Sequence, residues 1–248
     1  MNRLLALCAW CLLAGAAAAA EVQVAVAANF SEPARQIAAE FERRTGHRAL
    51  LAFGATGKFH AQITHGAPFG VLLAADETTP ARLEQEGLGV PGSRFTYAVG
   101  RLVLWSARPE RVDARGDILQ HGHFERLAIA NPRTAPYGRA AIEVLTRLKL
   151  LETVQSRIVQ GENIAQTHQF VSTGNAELGF VAWSQVFRDG RLTGGSAWPV
   201  PEALHAPIRQ DALILARGRD NPAATAFAEF LRTPAAQAVI QAYGYALR

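Results

Sequence analysis

The stretch EVQVAVAANFSEPARQIAAEF, residues 21–41, decides the fold. Its opening, Val22-Gln23-Val24-Ala25-Val26, reads as a short β-branched strand. The strand breaks at Ala27-Ala28-Asn29-Phe30-Ser31. Beyond the break, Ala34, Ile37, Ala38 and Phe41 recur at the spacing of one helix face. Asn29 and Ser31 are N-cap types, Pro33 suits a first turn and Gly46 suits the stop. A strand that turns sharply into a helix is a βα unit, and the chain repeats it. Residues 48–53 form a strand ending at Gly54-Ala55-Thr56-Gly57-Lys58, followed by a short helix carrying Phe59 and Ile63. Residues 71–75 form another, ending at Asp76-Glu77-Thr78, where Thr78 and Pro80 open a further helix. Strands that read as continuous apolar runs between helices predict a parallel sheet covered on both faces.

The same alternation continues downstream. Residues 97–106 read as one long apolar strand, and 127–130 as a strand ending in Asn131-Pro132. Tyr137-Gly138 opens a helix with Ala141, Val144, Leu145 and Leu148 on one face. Ile158-Val159 leads through Gly161-Glu162-Asn163-Ile164 to a helix at 165–172, and 177–182 is a strand. A last strand at 212–216 precedes helices at 221–231 and 234–243. The chain contains no repeat, low-complexity tract or linker.

Upstream of the deciding stretch, residues 1–20 carry Arg3, the apolar run 4–13, and small residues ending in Ala18-Ala19-Ala20. This is the pattern of a cleaved secretory signal peptide, and its apolar core is too short to span a bilayer. No later stretch approaches the required length, so no membrane insertion is expected. Cleavage removes both cysteines, Cys8 and Cys11, which excludes a disulfide framework, a thiol nucleophile and a cysteine-based metal site. A net charge of +4 with no basic run argues against nucleic acid as a partner. With 49% hydrophobic and 19% charged residues, the composition suits one large core or two lobes.

Ligands of open α/β sheets bind beyond the carboxyl ends of the strands. The corners at 27–31, 54–58, 131–138 and 161–165 are therefore the informative positions. They hold Asn29, Thr56, Tyr137 and the backbone around Ile164, all neutral donors beside small residues. Each corner alone is an ordinary helix cap; together they equally describe an anion site built from helix N-termini.

At these corners the sequence resembles the periplasmic molybdate-binding proteins of ABC transporters. The matching segments are Ala27-Ala28-Asn29-Phe30, Gly54-Ala55-Thr56-Gly57, Gly66-Ala67-Pro68-Phe69 and Ala74-Ala75-Asp76-Glu77, together with PGSRFTYAVGRLVLWSA (91–107), NPRTAPYGRAA (131–141), GENIAQTHQFVSTGNAELGFVA (161–182) and PIRQDALIL (207–215). The resemblance implies an α/β, two-lobed type II binding-protein fold. Each lobe would be a mostly parallel sheet flanked by helices, with a two-strand hinge between them. One lobe would take 21–98 plus 207–248 and the other 99–206. It implies a periplasmic monomer that takes molybdate, and tungstate with it, and delivers the anion to a membrane permease without enzyme activity or cofactor. The donors it implies are the side chains of Asn29, Thr56 and Tyr137 and the backbone N–H of Ile164, with the Ala28 backbone as a fifth. Three departures accompany the match. Ala28 stands where some members carry a hydroxyl, Ala182 where others place their ligand tyrosine, and Thr56 where serine is usual.

Physical chemistry narrows the anion independently. Phosphate near neutral pH keeps a proton and wants a carboxylate acceptor, for which Glu162 is the nearest candidate. A pocket of donors alone suits a fully deprotonated dianion such as molybdate, tungstate or sulfate. Sulfate or another tetrahedral oxyanion, and a secreted enzyme on the same scaffold, remain the alternatives. Gly54-Ala55-Thr56-Gly57-Lys58 lacks the Walker spacing, and no G-x-S-x-G elbow occurs. His121-x-His123 and the pair His60/His65 read as surface or capping residues rather than metal ligands. Asp76 reads as a helix cap, Arg139 as a solvated helix arginine, and Trp105 and Trp183 as packing residues.

Overall fold

The structure is a computed structural model and describes residues 19–247, so all but the end of the leader at 1–20 lies outside the described residues. The chain begins β1 (Glu21–Ala27), α1 (Ser31–Thr45), β2 (Arg48–Gly54), α2 (Thr56–Thr64), β3 (Val71–Leu73), α3 (Thr78–Gln85) and β4 (Phe95–Gly100). It continues β5 (Leu102–Ser106), α4 (Ile118–His121), β6 (Leu127–Ala130), α5 (Pro136–Arg147), α6 (Leu151–Val154), β7 (Ile158–Gly161), α7 (Ile164–Ser172) and β8 (Leu178–Ala182). There follow α8 (Trp183–Val186), the hairpin β9 (Phe187–Arg188) and β10 (Arg191–Leu192), and β11 (Ser196–Pro199). The chain then returns through β12 (Ile208–Ile214), α9 (Pro222–Phe230) and α10 (Pro234–Ala242).

The long strands divide between two five-stranded sheets, ordered β2-β1-β3-β12-β4 and β11-β5-β8-β6-β7. The βα rhythm produces the parallel part of each: β1 pairs in parallel with β2 and β3, and β6 with β7 and β8. Each sheet is completed by antiparallel strands, β12 against β3 and β4 in the first, and β5 against β8 and β11 in the second. The sheets are therefore mixed, because one strand of each, β12 in the first and β5 in the second, runs against the other four.

Burial follows the strand alternation. On one face of the first sheet, Val22, Val24 and Val26 pack with Phe30, Ile37, Phe41 and Phe227. On the other, Ala25, Leu72 and Ala74 pack with Phe59, Phe69, Leu83 and Leu213. The second sheet is covered likewise, by Leu127, Ile129, Val144, Leu145 and Phe180 on one side and by Val103, Ala128, Val171 and Val181 on the other. α1 stops at Gly46, whose φ of 74° lies in the left-handed region.

Two expectations fail instructively. The single strand expected at 97–106 is broken at Arg101, with β4 in one sheet and β5 in the other. Gly100 marks the break: a Cβ there would collide with the Tyr137 hydroxyl and the Gln210 amide. The last strand begins at Ile208 rather than 212, since Gln210 and Asp211 disguise it yet are both buried. Asp211 is held by Arg94 and Thr96, each at 2.7 Å.

Candidate functional site

Strand register builds the site. Ala27 is level with Gly54 at the carboxyl ends of β1 and β2, and Ala130 is level with Gly161 at those of β6 and β7. Four corners therefore meet between the sheets: the turn at Ala28–Phe30 and the N-termini of α2, α5 and α7. All five residues singled out from sequence, Ala28, Asn29, Thr56, Tyr137 and Ile164, line one cleft there, joined by Asn163 and Ala75. The space enclosed is about 10 Å³, close to the volume one water requires. Admitting a four-oxygen anion requires these walls to part. Two wider openings flank the site, one of about 350 Å³ past Ala165 and His168 and one of about 300 Å³ past Asp76 and Arg139.

Each donor is set up by its local structure. Thr56 is the first residue of α2, and its hydroxyl oxygen accepts the Ala75 N–H at 3.0 Å, which leaves the hydroxyl proton to donate elsewhere. Pro136 opens α5, so Tyr137 lies in its first turn, and neither this helix nor α2 has a side-chain cap at its N-terminus. α7 is capped by Asn163, whose Oδ1 accepts from the N–H groups of Ala165 and Gln166. Among the described residues, the backbone N–H groups of Thr56, Tyr137 and Ile164 find no acceptor. Three helix N-termini, two of them without a side-chain cap, thus face one small volume, each carrying a fraction of a positive charge.

Asn29 plays a different part from the cap its residue type suggests. α1 has no side-chain cap, and the Asn29 Nδ2 donates instead to Gln210 Oε1 at 2.8 Å and to the Tyr245 hydroxyl at 2.9 Å. Both amide protons are thereby committed within the protein. Tyr137 is buried and its hydroxyl accepts from Gln210 Nε2 at 3.1 Å. Burial pushes the Tyr137 and Tyr97 phenols well above the ordinary value of 10, so both stay neutral. This layer of Gln210, Tyr97, Tyr245 and Ser184 beneath the cleft was invisible to sequence reasoning. A glutamine inside the apolar run PIRQDALIL is the one signal that could have found it.

The rim carries the charges, already paired. Lys58 pairs with Glu162 across the cleft, and Arg139 Nη2 bonds Asp76 Oδ2 at 2.7 Å. Asp76 caps α3 through the Thr79 N–H at 2.9 Å, as its position suggests, and holds Arg139 as well. Glu162 is thus engaged with a lysine. A backbone bond, Gly57 N–H to the Thr134 carbonyl at 2.9 Å, also crosses between the lobes. The chemistry of the walls is that of a donor-rich, acid-free pocket. Trp105 stacks on His168, and Trp183 on Phe187, so both indoles pack rather than face the cleft. Among the described residues no three His, Cys, Asp or Glu side chains come together as a metal site. No described helix is long and apolar enough to cross a membrane.

The description "Bacterial extracellular solute-binding protein" matches residues 22–246 of the chain. The chain is 62% identical over 237 residues to the molybdate-binding protein ModA of Azotobacter vinelandii, covering 96% of this chain and 94% of that one. It is 53% identical over 233 residues to ModA of Rhodobacter capsulatus, covering 94% and 91%. The solved structure of an Azotobacter vinelandii periplasmic molybdate-binding protein superposes with a TM-score of 0.89 at 40% identity, covering 92% of this chain and 99% of that one.

Proposed function

The chain belongs to the bacterial extracellular solute-binding proteins, in their molybdate-binding branch, and from that premise we propose how it holds its anion. Molybdate is bound between the lobes, which divide at Arg101, where β4 of the first sheet gives way to β5 of the second, and again near residue 207. The donors are the Thr56 hydroxyl, the Tyr137 hydroxyl, and the backbone N–H groups of Thr56, Tyr137 and Ile164, with Ala28 and Asn29 closing the first-lobe side. The observation that carries this reading is the convergence of three helix N-termini on an acid-free cleft. Dipoles and hydroxyls neutralise a dianion without a counter-charge, and every donor meets an oxygen when the protein closes. Tungstate shares the charge and shape of molybdate and is taken too. The protein acts in the periplasm as a monomer, catalyses nothing, and passes the anion to an ABC permease.

Closure supplies the selection. Because the closed walls enclose so little space, an anion fixes how far they stay apart, and its size sets how many cross-lobe bonds can form. Calorimetric titration of the 21–248 protein with molybdate, tungstate, sulfate and phosphate tests the reading. Tight one-to-one binding of the two larger anions, with sulfate weaker by about 100-fold or about 2.7 kcal/mol, is expected. Equal affinity for sulfate removes the size argument, and no heat with any of the four overturns the oxyanion reading.

A further inference from the structure

Beneath the cleft, one buried side chain touches both tyrosine and asparagine of the site. Gln210, on β12, is fully buried. Its Oε1 accepts from Asn29 Nδ2 at 2.8 Å and from the Tyr97 hydroxyl at 3.1 Å, and its Nε2 donates to the Tyr137 hydroxyl at 3.1 Å. Those bonds have a fixed direction, because they end on a group that can only accept. The Asn29 backbone carbonyl takes the Tyr245 hydroxyl at 2.8 Å and the Ser184 hydroxyl at 2.9 Å. Tyr245 has one proton, spent there or on Ser184 at 2.9 Å, so its oxygen must accept from Asn29. Asn29 therefore presents Nδ2, Gln210 presents Oε1 to it, and the Gln210 Nε2 is turned to Tyr137. The Tyr137 oxygen is already an acceptor from Gln210, which leaves its proton to turn to an anion or to the neighbouring Tyr245 hydroxyl.

We propose that Gln210 is a positioning residue that fixes the polarity of the oxyanion site, holding the Tyr137 hydroxyl as a donor toward the anion. The inference rests on the oxyanion reading above and adds to it the residue that makes the pocket donor-only. Gly100 belongs to the same device: without a Cβ it leaves the space in which the Tyr137 hydroxyl and the Gln210 amide meet. The arrangement also joins the lobes, since Gln210 sits in the first sheet and Tyr137 on a helix of the second.

The test is a double-mutant cycle on the 21–248 protein, read by molybdate titration at about pH 6 and about pH 8.5. Gln210→Glu keeps the shape but as a carboxylate can only accept, so it captures the Tyr137 proton. Molybdate binding should weaken by about 100-fold at the higher pH and recover at the lower, where the acid is protonated and donates again. Charge repulsion alone would give that profile, so the cycle decides. Tyr137→Phe should cost about 10-fold or more in the wild type and less than about 3-fold on top of Gln210→Glu. Losses that simply multiply overturn the inference. If Gln210→Glu fails to fold, Gln210→Met carries the same cycle, and a Tyr137→Phe effect that persists in full overturns it. Wild-type protein that binds neither molybdate nor tungstate overturns the oxyanion reading instead.

Discussion

Replacing Thr56 with valine separates what its hydroxyl does for the fold from what it does for the anion. The two side chains have the same shape, so packing within the cleft is preserved. Thr56 is 1% exposed and its oxygen accepts the N–H of Ala75, which is equally buried. Thr56→Val strands that N–H, a loss of about 1–3 kcal/mol in the unliganded protein. It also deletes a hydrogen bond to a charged acceptor, worth about 1.5–3 kcal/mol, which weakens molybdate by about 10- to 150-fold. Urea unfolding of the unliganded variant reads the first quantity and calorimetric titration the second. Thr56→Ser, which keeps the oxygen and its proton, should restore binding to within about 5-fold while losing some packing. Wild-type affinity in Thr56→Val would remove the hydroxyl from the anion's coordination and leave it a purely structural acceptor.

Tyr137→Phe should weaken molybdate by about 1–3 kcal/mol and lower stability as well, because Gln210 Nε2 loses its acceptor; unchanged calorimetry would take the hydroxyl out of the site. Gly57→Ala would put a Cβ 3.0 Å from the Thr134 backbone. Its cost falls on the closed form alone, so affinity should drop about 10-fold while the unliganded melting temperature holds, and a fall in both would place the strain in the fold. Arg139→Ala removes a pair whose arginine is 45% exposed, so affinity should change by less than about 5-fold and the difference should vanish in high salt. All four tyrosines carry raised pKa values, with burial the leading cause, against 10 in the unfolded chain. The folded protein keeps its phenol protons where the unfolded chain releases them. The contribution to stability is therefore whole below about pH 10 and drains away above it. Phenolate absorbance should appear together with unfolding, and a smooth rise at pH 10 from the native protein would contradict the burial.

The corners of the site were legible because they are local. A β-branched strand, a break of small residues and an amphipathic helix are each written in about twenty consecutive residues, and the register of parallel strands then brings such breaks together without further instruction. Thr56, Tyr137 and Ile164 reach the cleft in this way. What lies beneath them was not, because its members are far apart in the chain. Gln210 meets Tyr137 across 73 residues and Asn29 across 181, and no periodicity encodes such meetings. The misreading of Asn29 as a cap has the same origin. Its residue type suits a helix start, but the N-cap position of α1 falls on Phe30, and the Asn29 amide is turned to Gln210 and Tyr245. The split at Arg101 was hidden for a related reason, since nothing in an apolar run says that its two halves belong to different sheets.

The pairing of Asn29 with Tyr245, 216 residues apart, sets when this protein can first do its work. A chain growing from its N-terminus makes the Ala28–Phe30 turn at the outset, yet that turn lacks its support until Tyr245 has been synthesised. No N-terminal fragment, however well its first βα units form, contains a finished anion site. Folding dominated by such distant pairings is slow. A ligand that recognises only the completed arrangement stabilises the native state without rewarding any partial one. Molybdate should therefore slow unfolding and leave the early steps of folding untouched: it rewards completion, and the last few residues decide whether completion has occurred.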